Sequence, residues 1–237
     1  MICKTEAIVL RTYKYQESNL IAVLYTKQMG VKSFLIKGFR SPRNRKKFSY
    51  FQPLSMVEIV FIEKPNRELQ QIKESKSSQI LFQIQENPVK LSIGLSVIEI
   101  FYLCVKEETA NIPLFEFLSL CILTIDRSEN RLIQLFIFFL VHLTRHLGFF
   151  PNDMSEGAAK VRLDIHEGII RADNQKQDPI AKLIREFMDK DIEGCQAIRF
   201  DQQTKRSLIK TLFNYYYIHV DGFTYPNTLR VFSEVFG

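Results

Sequence analysis

Residues 20–37 read LIAVLYTKQMGVKSFLIK, two short β-rich runs joined by a polar turn that ends at Gly30. Three further runs of this kind occupy residues 5–12, 54–62 and 69–73. Short runs rich in β-branched and aromatic residues, bounded by turn residues, are typical of strands. Five such strands in succession predict a small barrel, because closure leaves no exposed sheet edge. An OB-type barrel is the first candidate, and periodicity alone leaves an SH3-like barrel open.

The rest of the chain shows helical spacing instead of alternation. Residues 132–147 are apolar on every side, which predicts a helix in the centre of a bundle that ends at Gly148. Further helices are predicted over 91–106, 113–123, 179–189 and 204–220, and a small β-hairpin over 160–171. The fold class is therefore α+β. A five-stranded OB-type β-barrel domain at residues 1–78 is followed by an all-helical C-terminal domain with a small β-hairpin at residues 79–237.

Charge is distributed unevenly along the 237 residues, whose formal net charge is +6. Residues 1–80 contain 15 Lys/Arg and 6 Asp/Glu, a net charge of +9. The other 157 residues contain 17 basic and 20 acidic side chains, a net charge of −3. Such asymmetry indicates a polyanionic partner for the N-terminal part, although a merely solvated basic face would have the same composition.

The excess of positive charge is concentrated in residues 37–51, which read KGFRSPRNRKKFSYF. Six of these residues are basic, none is acidic and four are aromatic. Cations neutralise phosphates and exposed aromatic rings stack on unpaired bases. The segment therefore predicts a nucleic-acid contact, and an ordinary solvated loop is the alternative. Base stacking is predicted for Phe39 and Phe48, and Phe51 also lies where a base could reach, unless these rings pack under the barrel rim.

No residue pattern in the chain argues for catalysis. The segment Gly30–Ser33 lacks the glycine-rich cradle of a phosphate loop. His142 and His146 are four apart on the central helix, but the general-base Glu of a zinc protease is missing between them. We therefore expect a protein that is not an enzyme and that has no cofactor and no metal. Arg145, at the end of the same helix, caps helix carbonyls or receives an acidic ligand.

Several features predict a cytoplasmic protein. The first residues carry Glu6 where a signal peptide would begin its apolar region. The most apolar run, residues 132–143, is shorter than the ~20 residues that span a bilayer. The four cysteines are widely scattered, which is typical of reduced thiols in a reducing compartment.

Several segments resemble a known family, the bacterial recombination mediators of the RecO family. The resemblance is specific at residues 5–20 (TEAIVLRT, then YQESNL) and continues through 26–30, 37–40 and 52–54. It is weaker after residue 80, where residues 139–151 and the sequence DIHEG at 164–168 are similar to the family's central helix and the hairpin that follows it.

The resemblance implies an OB-fold domain, a helical domain and a role in DNA repair. Family members bind single- and double-stranded DNA, anneal complementary strands, and act with RecR to load RecA onto DNA coated by single-strand-binding protein. A nucleoid-associated location follows from such a role. By position, the basic residues that match the family's DNA contacts are Lys32, Lys37, Arg40, Arg43, Arg45, Lys46 and Lys47. The acidic tail of single-strand-binding protein docks on the helical domain, where Arg145 is our candidate for receiving it.

One departure from the family concerns zinc. Many members carry a four-cysteine zinc site after the central helix, but residues 149–194 of this chain contain no Cys. A tetrahedral thiolate site needs four ligands, so we predict no zinc, and a hairpin that packing holds in place. Two alternatives to DNA repair stay open from the sequence: an RNA-binding or ribosome-associated OB protein, and a protein-docking scaffold.

Overall fold

The computed structural model describes residues 1–38, 48–64, 67–175 and 177–227. Its N-terminal part is a closed five-stranded barrel with the strand order β1-β2-β3-β5-β4. Neighbouring strands are antiparallel except β3 and β5, which are parallel. This arrangement is that of an OB fold, which confirms the predicted fold class and removes the SH3-like alternative. The strands are β1 (Ile2–Tyr15), β2 (Asn19–Thr26), β3 (Gly30–Lys37), β4 (Met56–Ile62) and β5 (Leu69–Gln79).

Strand β1 closes the barrel because it is long enough to pair on both sides. Residues Ile2 to Ile8 pair with β4, and Ala7 to Tyr15 pair with β2. A register shift between Val9 and Arg11 lets the strand turn from one neighbour to the other. Alternate residues of each strand point inwards and fill the barrel, where the rings of Phe34 and Phe61 meet edge to face at 5.0 Å.

Strands give way to helices after Gln79. Helices α1 (Phe82–Glu86), α2 (Pro88–Cys104) and α3 (Ile112–Arg127) follow. The Asn87 side chain caps α2 by accepting hydrogen bonds from the backbone N–H groups of Val89 and Lys90, and Pro88 occupies the first turn, where its missing N–H is not needed. The buried Lys90 ammonium donates to the Asp126 carbonyl oxygen at 2.7 Å and so joins α2 to the end of α3.

The barrel packs closely on the segment between α2 and α3. The β2–β3 turn ends at Gly30, which has a φ of +62°. A Cβ atom at this position would lie 2.3 Å from the Glu107 carbonyl oxygen, so the turn requires glycine for two independent reasons. Tyr25 reaches out of β2 to the helices, with its ring 4.7 Å from that of Phe101 and 6.0 Å from that of Phe115.

Among the described residues, 1–126 form one compact unit and 127–227 a second. Helices α1–α3 thus belong to the same unit as the barrel. The division into domains at residue 78 stays a prediction. No helix of the described ranges is both long and apolar enough to span a bilayer.

The second unit is built around α4 (Leu132–His146), whose side chains are largely buried as its all-round apolar sequence predicts. The predicted hairpin is present as β7 (Val161–Asp164) and β8 (Ile169–Ala172), and β6 (Asn152–Asp153) adds a short parallel strand to β8. Helices α5 (Pro179–Met188) and α6 (Gln202–His219) complete the unit, with a turn of 3-10 helix at Gly194–Ala197 between them.

Arg185 of α5 holds the loop that precedes the hairpin. Its guanidinium donates to the Ser155 hydroxyl oxygen at 3.1 Å and to the Ala158 carbonyl oxygen at 2.9 Å. Ser155 is buried, and its backbone N–H donates to the Asp153 carboxylate. Hydrogen bonds as well as packing thus hold the loop at residues 154–158 on α5. This is the region for which the family resemblance implied zinc ligands in many members.

We expect Arg185→Met to loosen this loop, because the change removes two charge-assisted hydrogen bonds but keeps most of the apolar stem. Such bonds contribute about 1.5–3 kcal/mol each when buried, and Arg185 is only half-buried, so we expect a loss of about 1.5 kcal/mol. The melting temperature should fall by roughly 3–6 °C, and amide exchange should rise at residues 154–160. Lys182→Met, at an exposed position of the same helix, is the control, and equal melting of the two variants would contradict the role of Arg185.

Candidate nucleic-acid interface

Two of the predicted DNA-binding residues lie on β3. Lys37 is exposed at the end of the strand, where the basic segment begins, and among the described residues it forms no ion pair. Lys32, near the start of β3, has its ammonium 2.6 Å from the Glu108 carboxylate, which follows α2. Because this pair neutralises the charge of Lys32, Lys37 is the stronger of the two candidates for a phosphate contact.

The other predicted basic residues lie in the segment that joins β3 to β4. Positions 39–47 fall outside the residues that the structure describes. Their predicted contacts with nucleic acid therefore stay predictions: phosphate contacts for Arg40, Arg43, Arg45, Lys46 and Lys47, and base stacking for Phe39.

The aromatic residues that follow this segment turn towards the barrel core. Phe48 and Tyr50 are partly buried against it, and the Phe51 backbone N–H donates to the Phe48 carbonyl oxygen at 3.0 Å. Phe51 is 1% exposed and forms part of the core itself. The expectation that a base could reach Phe51 is therefore wrong, because this ring fills the barrel. Stacking by the half-buried Phe48 stays a prediction.

A second basic group lies at the β4–β5 turn, and the sequence analysis missed it. Lys64, Arg67 and Lys73 are exposed and line one cleft with Gln71. The buried Gln70 side chain fixes the turn, since its amide exchanges hydrogen bonds with the backbone N–H and carbonyl oxygen of Lys64, at 3.0 and 2.9 Å. These cations are separated from one another in the sequence and do not form a basic run. Only the pairing of β5 with β3 could have indicated that they lie near Lys37.

The second unit contains the candidate for an acidic ligand. Arg145 is exposed at the end of α4, and its guanidinium carbon lies 4.1 Å from the centre of the Phe150 ring. His142, one turn earlier, stacks on Phe138 at 4.1 Å, and its Nε2–H donates to the Phe187 carbonyl oxygen. Arg145 thus presents its charge over an aromatic surface.

Burial and electrostatics keep the neighbouring histidines uncharged at neutral pH. Burial lowers the pKa of His142, and the nearby Arg145 and His146 lower it further. Burial and the charge of Arg145 likewise lower the pKa of His146. In the described part of the chain, no group of three or more His, Cys, Asp or Glu side chains is placed to hold a metal ion. Arg145 is consequently the charged member of the group that it forms with His142 and His146.

The cysteines do not form a reactive group. Burial raises the pKa of Cys104 and of Cys195 to about 12, so both thiols are protonated at neutral pH. Cys3 and Cys121 are buried in the first unit. A protonated, buried thiol is a small hydrophobic side chain and a poor nucleophile.

Comparison with known proteins covers nearly the whole chain. Residues 1–81 match the family model for the N-terminal part of recombination protein O, and residues 85–227 match the model for its C-terminal part. Full-length relatives named DNA repair protein RecO occur in Flavobacterium psychrophilum and Bacteroides fragilis, each 30% identical, and in Christiangramia forsetii, 29% identical. Each alignment covers 100% of both chains. The chain has a closed OB-type barrel followed by helices, and its two parts match the two family models in the same order. This chain therefore belongs to the RecO family of DNA repair proteins.

Proposed function

We propose that this protein is a recombination mediator that binds single- and double-stranded DNA and anneals complementary strands. With RecR it would load RecA onto DNA coated by single-strand-binding protein, and it would work on the nucleoid in the cytoplasm. One observation carries the proposal: residues 37–51, from the last residue of β3 towards β4 of an OB barrel, contain six cations and no acidic residue, in a chain of the RecO family.

Annealing needs no catalytic group, which suits a chain without a catalytic motif. Two strands repel each other through their phosphates, and a basic surface that displaces the condensed counterions lowers this repulsion. The strands remain free to exchange partners until complementary bases meet. Steep salt dependence and little sequence preference are the expected properties of such binding. An RNA-binding role would instead give a preference for RNA when matched RNA and DNA strands compete.

Arg145 is the proposed receptor for the acidic tail of single-strand-binding protein. A cation held over an aromatic ring offers a carboxylate an ion pair and an apolar side chain a surface to lie on. The Arg145–Phe150 pair has this composition on the second unit. The uncharged His142 beside it adds aromatic surface.

Annealing of coated strands tests the mediator role. We expect the protein to accelerate annealing of complementary strands coated with intact single-strand-binding protein, and to lose this effect when the acidic tail is deleted. Arg145→Gln should reduce the acceleration about tenfold on coated strands and leave naked strands unaffected, because only the docking step loses an ion pair.

The control for this variant is Arg162→Gln, which removes an exposed cation from the same unit. Equal acceleration on strands coated with intact and with tail-deleted single-strand-binding protein would contradict docking of the acidic tail. A complete failure to anneal naked strands would contradict the mediator role itself.

A further inference from the structure

Two tyrosines are exposed at the end of the β1–β2 hairpin. Tyr13 and Tyr15 are 45% and 40% exposed, although large aromatic side chains of a small barrel are usually buried. They alternate with Lys14 on β1 and therefore lie on the same side of the strand, about 6.6 Å apart along it. Their partners across the hairpin are Ile21 and Asn19.

This side of the strand is the outer side of the barrel. The inner side of β2 is formed by residues such as Ala22 and Leu24, which belong to the core. Ala22 pairs with Thr12, so Thr12 and Lys14 follow the inward positions and the two tyrosines follow the outward ones. Other outward residues are buried, since Ile21 and Tyr25 of β2 are 7% and 1% exposed, whereas the two tyrosines at the end of the hairpin are exposed.

The strand register places cations on the same outer side. Tyr15 lies opposite Asn19, and Asn19 lies opposite Lys37 of β3. With strands about 4.8 Å apart, the backbone of Lys37 is about 10 Å from that of Tyr15. We call the outer side of β1, β2, β3 and β5 that carries Tyr13, Tyr15, Lys37 and Lys73 the tyrosine–lysine face.

Strand β5 extends this face. Leu35 of β3 pairs with Gln71 of the parallel strand β5, and the exposed Lys73 follows two residues later, where the pairing of β5 with β4 is irregular. Gln70 and Ile72, the alternate residues, are buried. The β4–β5 turn then continues the row of cations with Lys64 and Arg67 in the adjoining cleft.

Three strands of this surface carry an exposed cation: Arg11 on β1, Lys37 on β3 and Lys73 on β5. Exposed carboxylates lie at Glu17 and Glu68 in the adjoining turns and at Glu74, next to Lys73. Aromatic rings at one edge and a row of cations at the other match the two parts of a nucleotide, a flat base and a charged phosphate.

We infer that the tyrosine–lysine face binds single-stranded DNA, with Tyr13 and Tyr15 stacking on unpaired bases and Lys37 and Lys73 contacting the phosphates. The inference rests on the proposed function and adds to it a surface and a preference for unpaired strands. Bases of a duplex are already stacked on each other and offer no free ring, so the tyrosines contribute only to single-strand binding. The cations act on both forms of DNA.

The test is a pair of variants with opposite expected results. Changing both tyrosines to alanine should weaken binding of an unstructured oligo-dT strand at least about tenfold, because each stacked base contributes a factor of roughly 5 to 150. The slope of log K against log salt should stay the same, since no charge is removed. Affinity for a duplex should change less than about twofold. Changing both tyrosines to phenylalanine should restore single-strand affinity, because phenylalanine also stacks.

Tyrosine emission gives a second readout that affinity does not determine. The chain has 9 Tyr and no Trp, so tyrosine fluorescence is observed directly. Oligo-dT should quench part of this emission in the native protein. In the double phenylalanine variant the strand should bind normally with a smaller quench, because the stacked rings no longer emit. Tyr217→Ala, at a 65% exposed position of α6, is the control and should change neither the affinity nor the absolute loss of emission on binding.

The outcomes separate this inference from the proposed function. If the native protein shows no salt-dependent DNA binding, the proposed function fails. If it binds DNA normally but the double alanine variant, folded by circular dichroism, binds single strands as tightly as the native protein, the tyrosine–lysine face is not the single-strand site. An equal loss on single strands and duplex would likewise contradict stacking on unpaired bases.

Discussion

Changing Arg43, Arg45, Lys46 and Lys47 together to alanine will flatten the salt dependence of single-strand DNA binding by about three units of slope. Each phosphate contact contributes about −0.7 to the slope of log K against log salt for a single strand, so four contacts contribute about −2.8. Extrapolated from 1 M to 50 mM salt, this difference corresponds to a loss of affinity of about a thousandfold or more. Fluorescence anisotropy of a labelled oligo-dT strand over a salt series measures both quantities.

A charge-matched variant provides the control for this experiment. Changing four exposed cations of the second unit to alanine removes the same net charge from a different surface: Lys182, Lys190, Arg206 and Lys210. Its slope should equal that of the native protein. If the quadruple variant at residues 43–47 keeps its slope, the basic segment is not the binding surface. If both variants flatten equally, binding depends on overall charge rather than on this segment.

Gly30→Ala will strongly destabilise the first unit, because the glycine packs against backbone carbonyl groups. The new Cβ would lie 2.3 Å from the Glu107 carbonyl oxygen and 2.6 Å from that of Thr109, and both are backbone atoms that no side-chain rotation can move. The left-handed backbone adds about 1–2 kcal/mol of strain for a residue with a side chain. We expect a total loss of about 3 kcal/mol or more, which lowers the melting temperature by roughly 6–12 °C.

Gly222→Ala separates the two causes. Gly222 has a φ of +68°, close to that of Gly30, but a Cβ there would have no heavy atom within 4 Å. This variant should therefore lose only the backbone strain, about 1 kcal/mol. Equal melting temperatures for the two variants would show that the close approach to residues 107–109 does not stabilise the unit.

The sequence predicted those parts of the fold that depend on local pattern. Short β-rich runs between turn residues located all five strands, and the apolar run at 132–147 located the central helix. The parallel pairing of β3 with β5 was not predictable. It joins residues such as Leu35 and Gln71, which share no local signal. The packing of Gly30 on Glu107 is long-range for the same reason.

The candidate site was predictable in part for a related reason. A count of charges finds the basic segment, but it does not say which side chains already have partners. Lys32 is paired with Glu108, which lies 76 residues away along the chain. Likewise, the sequence does not show whether an aromatic residue beside a basic run faces solvent or the core. Phe51 faces the core. Tyr13 and Tyr15 were not predictable as strand residues, because the β-rich run ends at residue 12, whereas β1 continues to Tyr15.

The Arg185 contacts bear on how the protein meets oxidising conditions, which accompany much DNA damage. A four-cysteine zinc site depends on thiolates, and oxidation of thiolates to sulfenic acid or disulfide removes them as ligands. In this chain the same loop is held by a guanidinium, a hydroxyl and a carbonyl oxygen, which such oxidants do not attack. The connection between this loop and α5 therefore does not depend on the redox state of a thiol.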